Sequence, residues 1–461
     1  MKHTRRVKLR AIVVAVALGA VPAERVFAQG APESIDYEGP GSSTLIESLR
    51  KDATVGTMLR GSYFSRTKPN RNGPTAEAGG LGGWLFAETG EFRDFLSFGG
   101  ALAYVAKIHG PEGHGGNFVL EDPNQSGYAT LGVAFARLRA GDHAFIGGRI
   151  APQHAWSLDG VYRFYNRFDG AFTGRRDVRA MIPLAYEGAT VQGKFANDTV
   201  RYYGGYLTRM KQVNDPDFEN LAAGAFLPGD SSGMAYGGGQ WKINPNMMLQ
   251  GGYHRADNLL DMTWIDFDYV YRYAKDRYVR LDVQYHYQTD NGDANLGEFS
   301  MNNRAAYLEA RPTDWFIPYA IFGRNSDGAE LRSPYSLGPS YLVQRIGENA
   351  KAGEKTWILG TTLDFATHGM RGLAFDVSYG ERTDRHNNGN TAQPLADWKE
   401  LATDLIFTFG KEYGWAQGIR MRARWARVWE KGPQFSGGAI TNIDQKQDDV
   451  RFDFQWRYVF K

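Results

Sequence analysis

The sequence predicts an all-β protein, namely a transmembrane antiparallel β-barrel of about 18 strands. Three observations lead to this class: a last strand with one aromatic face, an N-terminal export signal, and strand-like alternation in a chain without a spanning helix. A bilayer accepts only helices or closed barrels, because every backbone N–H and C=O group must be satisfied internally. The three observations together therefore favour one closed sheet in a membrane.

The last strand carries the clearest signal. From Val450 to Phe460 every second side chain is apolar, and most of these side chains are aromatic. Four residues of the other parity are polar: Arg451, Asp453, Gln455 and Arg457. Successive side chains of a β-strand point to opposite faces, so this strand has one apolar face and one charged face. A membrane barrel needs this geometry, with apolar side chains toward lipid and polar ones toward a wet lumen.

The N-terminus predicts export. Five Lys/Arg residues precede an apolar run from Ala11 to Val21, and small residues follow, so residues 1–28 are expected to be a signal peptide cleaved after Ala28. The apolar run is about half of the roughly 20 residues that span a bilayer. Residues 1–28 contain six Lys/Arg and one Glu, so their removal changes the formal charge from +2 to −3. The balance therefore predicts no nucleic-acid partner.

Composition and length set the size of the barrel. The chain has no cysteine, its aromatic content is 14%, and its 56 glycines suit tight turns between alternating strands. At roughly 24 residues per strand and connection, the mature chain provides about 18 strands. We expect residues 29–53 to be a periplasmic lead-in and residues 54–461 to form the transmembrane barrel.

The same alternation recurs along the chain. Segments with apolar side chains on one parity and mostly polar ones on the other lie at residues 265–273, 279–287, 357–365 and 373–379. Polar connections rich in Gly, Asn and Asp separate such segments. The early strands, near residues 55–64, 82–87 and 95–107, are richer in Gly and Ala, so their boundaries are less sharply defined.

Three arginines in strict alternation are the main candidate site. In the strand Ile419–Trp425, Arg420, Arg422 and Arg424 oppose an apolar parity. If that parity faces lipid, the guanidinium groups are stacked about 7 Å apart on one wall of the lumen. Planar guanidinium can pass a carboxylate from one bidentate site to the next. The alternative is structural: the arginines solvate a wet wall and pair with Asp364, Asp376 and Asp404.

Other candidate pore residues surround this column. We expect the closing strand to pair with the strand Ile419–Trp425 and to contribute Arg451 and Arg457. A second basic cluster lies in a connection before the apolar segment Met181–Leu184, which predicts a loop folded into the barrel as a constriction; a surface loop is the alternative. The full set of further pore-lining candidates is Arg149, Arg163, Arg175, Arg176, Arg179, Asp364 and Asp376.

Several segments resemble the OprD family of substrate-selective outer-membrane porins. The similar stretches run in family order: YATLGVAFARLRAGDHAFIGGR at 128–149, MIPLAYEGATVQGK at 181–194, MAYGGGQWKINP at 234–245, DNGDANLGEFSMNN at 290–303 and NAKAGEKTWILG at 349–360. The resemblance implies an 18-stranded barrel, an inward-folded loop matched by Arg175–Leu184, and an arginine ladder matched by Arg420, Arg422 and Arg424. It also implies basic amino acids or small carboxylates as cargo.

The expected function is therefore a porin in a Gram-negative outer membrane. Small anionic or zwitterionic solutes would diffuse passively through an arginine-lined pore, with outer-membrane lipid around a monomer or weak homotrimer. The chain is expected not to be an enzyme and to need no cofactor. The alternative is an outer-membrane barrel enzyme such as a lipid hydrolase, for which no nucleophile and histidine pair is found. His109, Glu112 and His114 suggest a metal site only weakly, because solvated loop histidines are more common.

Overall fold

The computed structural model describes residues 50–67, 76–115, 119–121, 124–151, 181–182, 184–225, 227–332, 344, 346 and 351–460. These residues form eighteen long strands, which we number in chain order. They are β1 Thr54–Thr67, β2 Ala76–Glu88, β3 Leu96–His109, β4 Tyr128–Ala140, β5 His143–Ile150, β6 Ala185–Phe195, β7 Val200–Lys211, β8 Met234–Asn244, β9 Met247–Ala256, β10 Leu260–Ala274, β11 Arg277–Thr289, β12 Ser300–Arg311, β13 Phe316–Asn325, β14 Lys355–Asp364, β15 Leu373–Thr383, β16 Asp397–Thr408, β17 Arg420–Ser436 and β18 Ala439–Phe460.

Short elements complete the described part of the connections. Three 3₁₀ turns lie at Ala223–Ala225, Ala366–His368 and Lys411–Ala416. A two-residue strand, Glu219–Asn220, adds to the end of β7, and the pair His386–Asn387 and Asn390–Pro394 forms a small separate ladder. Within the described residues, no helix has the length and apolar character needed to cross a bilayer.

The sheet closes on itself. Each long strand pairs antiparallel with the next, and β1 pairs with β18 from Val55 opposite Phe460 to Thr67 opposite Asp448. Closure leaves no strand edge with unpaired N–H and C=O groups, which is what a sheet in hydrocarbon requires. The predicted fold class, an antiparallel barrel of about 18 strands, is confirmed. The inward-folded loop lies largely outside the described residues and stays a prediction.

The alternation separates two environments. On β14, Leu359 is 50% exposed whereas Ile358 is 1% exposed. On β18, Phe452 is 55% exposed whereas Arg451 is 2% exposed. The exposed apolar side chains form the outer wall, and the buried polar ones crowd the lumen. A buried side chain in this barrel is therefore one that packs inside the lumen, and an exposed apolar side chain is one that faces lipid.

The two rims differ in their connections. One rim, which we call the short-turn rim, carries both ends of the sheet and turns as short as Gly141–Asp142 and Lys275–Asp276. The opposite, long-loop rim carries the connections at residues 110–127, 151–184, 212–233 and 326–354. In barrels of this type the short turns face the periplasm and the longer loops face outside.

Apolar side chains fill part of the lumen near the long-loop rim. Inward residues of β1 to β4, including Phe64 and Tyr128, form one cluster that also contains Met181 and Ile182, both fully buried. A larger cluster joins inward residues of β4 to β10 and of β12 with Leu221 and Ala222 of the connection after β7. This connection is held against the wall, since the Tyr128 hydroxyl donates to the Val213 carbonyl over 2.7 Å. The open cross-section is therefore narrower than the strand count alone suggests.

The outer wall provides a test of membrane orientation. A Leu359→Arg variant should lose about 2–4 kcal/mol of unfolding free energy, because a guanidinium on the lipid face near mid-bilayer is poorly solvated. Urea unfolding in lipid vesicles measures this loss. Leu359→Ala is the matched control and should lose less, since it introduces no charge. Equal stability of Leu359→Arg and the parent protein would contradict the outward orientation of Leu359.

Candidate functional site

The three alternating arginines point inward. Arg422 and Arg424 are 8% and 3% exposed, whereas Met421 between Arg420 and Arg422 is 49% exposed. Since the exposed parity forms the outer wall, Arg420, Arg422 and Arg424 lie on the lumen face of β17. The expected pairing of this strand with the closing strand is confirmed by the register, in which Arg422 lies opposite Asp453.

Two of these arginines form tight ion pairs. The Arg424 guanidinium donates two hydrogen bonds to Asp404 of β16, over 2.6 and 3.1 Å. The Arg422 guanidinium donates to Asp453 of β18 over 2.6 and 3.2 Å. Both pairs are almost fully removed from water. The three arginines of β17 therefore differ in accessibility. Arg422 and Arg424 are buried and held in fixed orientations by their carboxylate partners, whereas Arg420 is only partly buried.

The neighbouring strands widen the basic surface. Arg451 lies opposite Arg424, and Gln455 lies between Arg420 on β17 and Arg60 on β1. Arg451 and Arg66 both contact the fully buried Asp449, at 2.8 and 2.9 Å. Arg457 is exposed at the short-turn rim and lies over the Phe86 ring at 5.5 Å. Together these residues form what we call the arginine cluster: Arg60, Arg66, Arg420, Arg422, Arg424, Arg451 and Arg457.

Buried charges extend from this cluster toward the long-loop rim. Arg382 on β15 lies 3.6 Å from Glu400 on β16 and 3.4 Å from Glu354, which precedes β14. Arg385 lies 3.4 Å from the other oxygen of Glu354. Burial raises the pKa of Glu354, while the neighbouring Arg382 and Arg385 act to lower it. Opposite charges thus alternate along the inner wall of β14 to β17.

The predicted pore residues Asp376 and Asp364 lie at different levels of the barrel. Asp376 on β15 is 3% exposed. It accepts hydrogen bonds from the Tyr319 and Thr362 hydroxyls, over 3.2 and 2.8 Å. Asp364 ends β14 at the short-turn rim, where an oxygen of its carboxylate lies 3.8 Å from Arg311. Of the three aspartates expected to pair with the β17 arginines, Asp404 makes such a pair with Arg424.

Arg149 lies away from the cluster. It shares the parity of Phe145, which is 49% exposed, whereas Ile146 and Ile150 of the other parity are fully buried. Its guanidinium donates to Glu187 of β6 over 2.9 Å, at the long-loop end of the outer wall. This position leaves Arg149 out of the pore-lining set that we propose. Glycines at 147 and 148 have no side chain, so the sequence alone could not reveal the facing of Arg149.

Four predicted residues lie outside the described residues. These are Arg163, Arg175, Arg176 and Arg179. At the end of the same connection, Met181, Ile182 and Leu184 are described and buried. Met181 and Ile182 contact the inside of the wall formed by β1 to β4.

A second polar wall was not singled out from the sequence. Arg280 on β11 forms ion pairs with Asp268 and Asp282, at 2.9 and 3.1 Å. The Asp266 carboxylate accepts hydrogen bonds from Gln250 and Gln284. In an eighteen-stranded barrel β10 is nine strands from β1 in either direction, so this wall faces the arginine cluster across the lumen. The signal was present, because all these residues share the inward parity of their strands.

His109 at the end of β3 and His114 in the following connection contact a carboxylate, not the metal ion that the sequence weakly suggested. His109 and His114 lie 3.1 and 3.5 Å from the two carboxylate oxygens of Glu77 on β2. The Tyr63 hydroxyl also donates to Glu77, over 2.8 Å. Glu112 was the expected third residue. Across the described ranges, no group of three or more His, Cys, Asp or Glu side chains is arranged to hold a metal ion.

A closed barrel with an apolar outer wall and a charged lumen defines a membrane channel of the porin class. A family model described as "outer membrane porin, OprD family" matches residues 174–456. The chain belongs to the OprD family, which comprises channels rather than enzymes. It is thus an outer-membrane porin, and nothing in the family or the fold supports the alternative of a lipid hydrolase. No curated protein matches the sequence.

Solved structures share the fold. OccK9 (OpdG) of Pseudomonas aeruginosa matches with a TM-score of 0.72 and 18% identity, over 90% of this chain and all of that one. OpdK of the same organism, solved with vanillate, matches with a TM-score of 0.71 and 15% identity, over 89% of this chain and all of OpdK. OccAB2 of Acinetobacter baumannii matches with a TM-score of 0.70 and 18% identity, over 90% of this chain and all of OccAB2.

The Arg424–Asp404 pair is expected to be structural. Arg424→Ala should lower the unfolding free energy by about 3–5 kcal/mol, because it leaves the Asp404 carboxylate buried without its cation. The double variant Arg424→Met with Asp404→Leu should recover most of this loss, since both charges are removed together. Urea unfolding in vesicles, followed by tryptophan fluorescence, compares the three proteins. A single variant as stable as the parent would show that the pair is not desolvated.

Proposed function

We propose that this porin carries small carboxylates by passive diffusion, and that the arginine cluster selects them. The observation that carries the proposal is the concentration of arginines on β17, β18 and β1. Over four successive rows of directly opposed residues on these strands, six arginines lie on the lumen face with the two carboxylates Asp449 and Asp453; these arginines are Arg60, Arg66, Arg420, Arg422, Arg424 and Arg451. Asp404 adds a third carboxylate from β16. The remaining excess of positive charge attracts anions into a lumen whose wall has a low dielectric constant.

The accessible members of the cluster are the proposed contacts for a solute. Arg457 is exposed and Arg420 is partly exposed, whereas Arg424 and Arg451 are almost fully buried. We assign solute contact to Arg420 and Arg457, with Arg422 next along the column. Asp453 and Asp404 hold Arg422 and Arg424 in position and reduce the net charge. Partial neutralisation suits a channel, because a solute must bind well enough to enter and weakly enough to leave.

The opposite wall allows a zwitterionic cargo as the second candidate. Asp266, Asp268 and Asp282 lie across the barrel from β1, and one arginine, Arg280, compensates part of their charge. A solute with both a carboxylate and an ammonium group would then meet a favourable charge on each side. Amino acids are therefore the alternative to simple carboxylates.

A constriction by the connection between β5 and β6 is part of the proposal. Support comes from Met181 and Ile182, which pack against Phe64 and Tyr128 on the inside of the barrel. We propose that this anchor carries Arg175, Arg176 and Arg179 into the lumen, with Arg163 nearby. The cluster and the constriction would then act in series on an anionic solute.

The remaining organisation is proposed from the sequence. Residues 1–28 are a cleaved signal peptide, residues 29–53 a periplasmic lead-in, and residues 54–461 the barrel. The continuous apolar outer wall suits lipid contact around a monomer or a weak homotrimer. The likeness to OpdK, which was solved with vanillate, makes aromatic carboxylates a good first choice of test solute.

Ion selectivity tests the proposed role of Arg420. In a planar bilayer with a KCl gradient, the parent channel should favour chloride, and Arg420→Gln should move the reversal potential toward zero. The reason is the loss of one accessible cation from the narrow aqueous path. Arg427→Gln is the matched control, because Arg427 lies on the outer parity of the same strand and pairs with Asp448 at the long-loop rim. An unchanged reversal potential in Arg420→Gln would contradict the assignment.

Vanillate block tests the proposed cargo. The half-blocking concentration of vanillate should rise about fivefold in Arg420→Gln, as expected for an accessible ion pair worth about 1 kcal/mol. Arg420→Lys should give an intermediate value, because the charge remains while the bidentate geometry is lost. Single-channel recordings during a titration provide both values. Equal block of the parent and both variants would rule out carboxylate contact at Arg420, and block by lysine but not by vanillate would favour the amino-acid cargo.

A further inference from the structure

A row of cations crosses the outer wall near the long-loop rim. Arg304 on β12 lies directly opposite Arg324 on β13, and Arg324 lies directly opposite Lys355 on β14. All three side chains are exposed. Their inward neighbours Asn303 and Asn325 are fully buried, so the three cations face away from the lumen. We call these three residues the outer basic row.

The row is unusual because its two arginines oppose each other without an acidic partner among the described residues. Directly opposite like charges on paired strands are destabilising. Lys355 has a partner, since its Nζ lies 2.7 Å from the Asp384 carboxylate. No carboxylate of the described residues forms an ion pair with Arg304 or Arg324. A barrel fold does not need this repulsion, and an external anion would relieve it.

The position of the row indicates the kind of anion. Immediately toward the membrane, the same face carries Phe322, which is 52% exposed, and Trp357 opposite it. Farther along lie Leu308 and Leu359, each about half exposed. The cations thus lie where the apolar band ends at the long-loop rim, which faces outside. Lipid headgroups of the outer leaflet occupy this level, and their acyl chains cover the band below.

The spacing fits a phosphate group. Neighbouring strands are about 4.8 Å apart, so three adjacent strands place their cations within about 10 Å. Arginine binds phosphate oxygens through two parallel hydrogen bonds, and two opposed guanidinium groups can share one phosphate. Tyr285, which lies opposite Arg304 and is 38% exposed, adds a hydroxyl at the edge of the row.

We propose that Arg304, Arg324 and Lys355 form a binding site for a phosphate group of lipid A, the phosphorylated glycolipid of the outer leaflet. The guanidinium groups hold the phosphate, and Phe322 and Trp357 contact the acyl chains. The site is separate from the pore and does not depend on which solute the channel carries. Bound lipid A would fix the barrel at this depth and stabilise the β12–β14 wall.

Native mass spectrometry of the full mature chain in detergent tests the site. The parent protein should retain hexa-acylated, bisphosphorylated lipid A, and the Arg304→Gln, Arg324→Gln double variant should bind it at least tenfold more weakly. Arg255→Gln is the matched control, since Arg255 is also exposed on the outer wall near this rim but lies opposite Asp261. It should bind within twofold of the parent. Lysine at both positions keeps the charge and should give an intermediate affinity.

Further comparisons decide the source of binding. Lipid A without its phosphates should bind the parent no better than the intact lipid binds the double variant, and millimolar inorganic phosphate should not displace intact lipid A. The parent should gain thermal stability from lipid A, and the double variant should not. Equal lipid A binding by parent and double variant would overturn the proposal. Binding of the dephosphorylated lipid as tight as that of intact lipid A would also overturn it. A double variant that changes its oligomeric mass but binds lipid A as well as the parent would overturn it too.

Discussion

A chain that crosses a bilayer cannot leave any backbone polar group unpaired in hydrocarbon. This chain meets that constraint by pairing β1 with β18, so that the N-terminal strand closes the sheet against the C-terminal one. Closure fixes the two faces of every strand. From then on each side chain lies either against lipid or in the lumen, and its chemistry must suit that side.

The crowded lumen explains why its buried charges are paired. An inward position of β15 to β18 is surrounded by other inward side chains and by connections that enter the lumen, so a charge there needs a partner. Asp404, Asp449 and Asp453 provide partners for arginines, and Glu354 and Glu400 do so nearer the long-loop rim. The lumen is therefore an organised network of paired charges, in which we propose that Arg420 and Arg457 are the cations that contact a solute.

Strand alternation made much of this predictable from the sequence. The inward parity of Arg420, Arg422 and Arg424 follows from a period of two, and their pairing with the closing strand follows from the order of the last strands. Arg60 and Arg66 were not predicted, because they lie in an N-terminal strand with a weak alternation pattern, and its partner β18 is almost four hundred residues away in the sequence. Nothing local indicates such a contact.

Other differences have local causes. Arg149 follows two glycines, so no side-chain alternation shows which face it takes. Arg304 and Arg324 lie in different strands, and their opposition depends on the register between β12 and β13, which a single sequence does not fix. The partner of His109 and His114 was likewise not predictable, because Glu77 lies on β2 and is more than thirty residues earlier in the sequence.

Single cysteines can report which face of β17 contacts water, since the chain has no cysteine of its own. Arg420→Cys and Ala423→Cys place a thiol on opposite faces of β17. If the arginine column faces the lumen, a charged, membrane-impermeant thiosulfonate changes the conductance of the Arg420→Cys channel, whereas Ala423→Cys reacts only with a lipid-soluble maleimide. Reaction of Ala423→Cys alone with the charged reagent would contradict the assignment of the arginine column to the lumen.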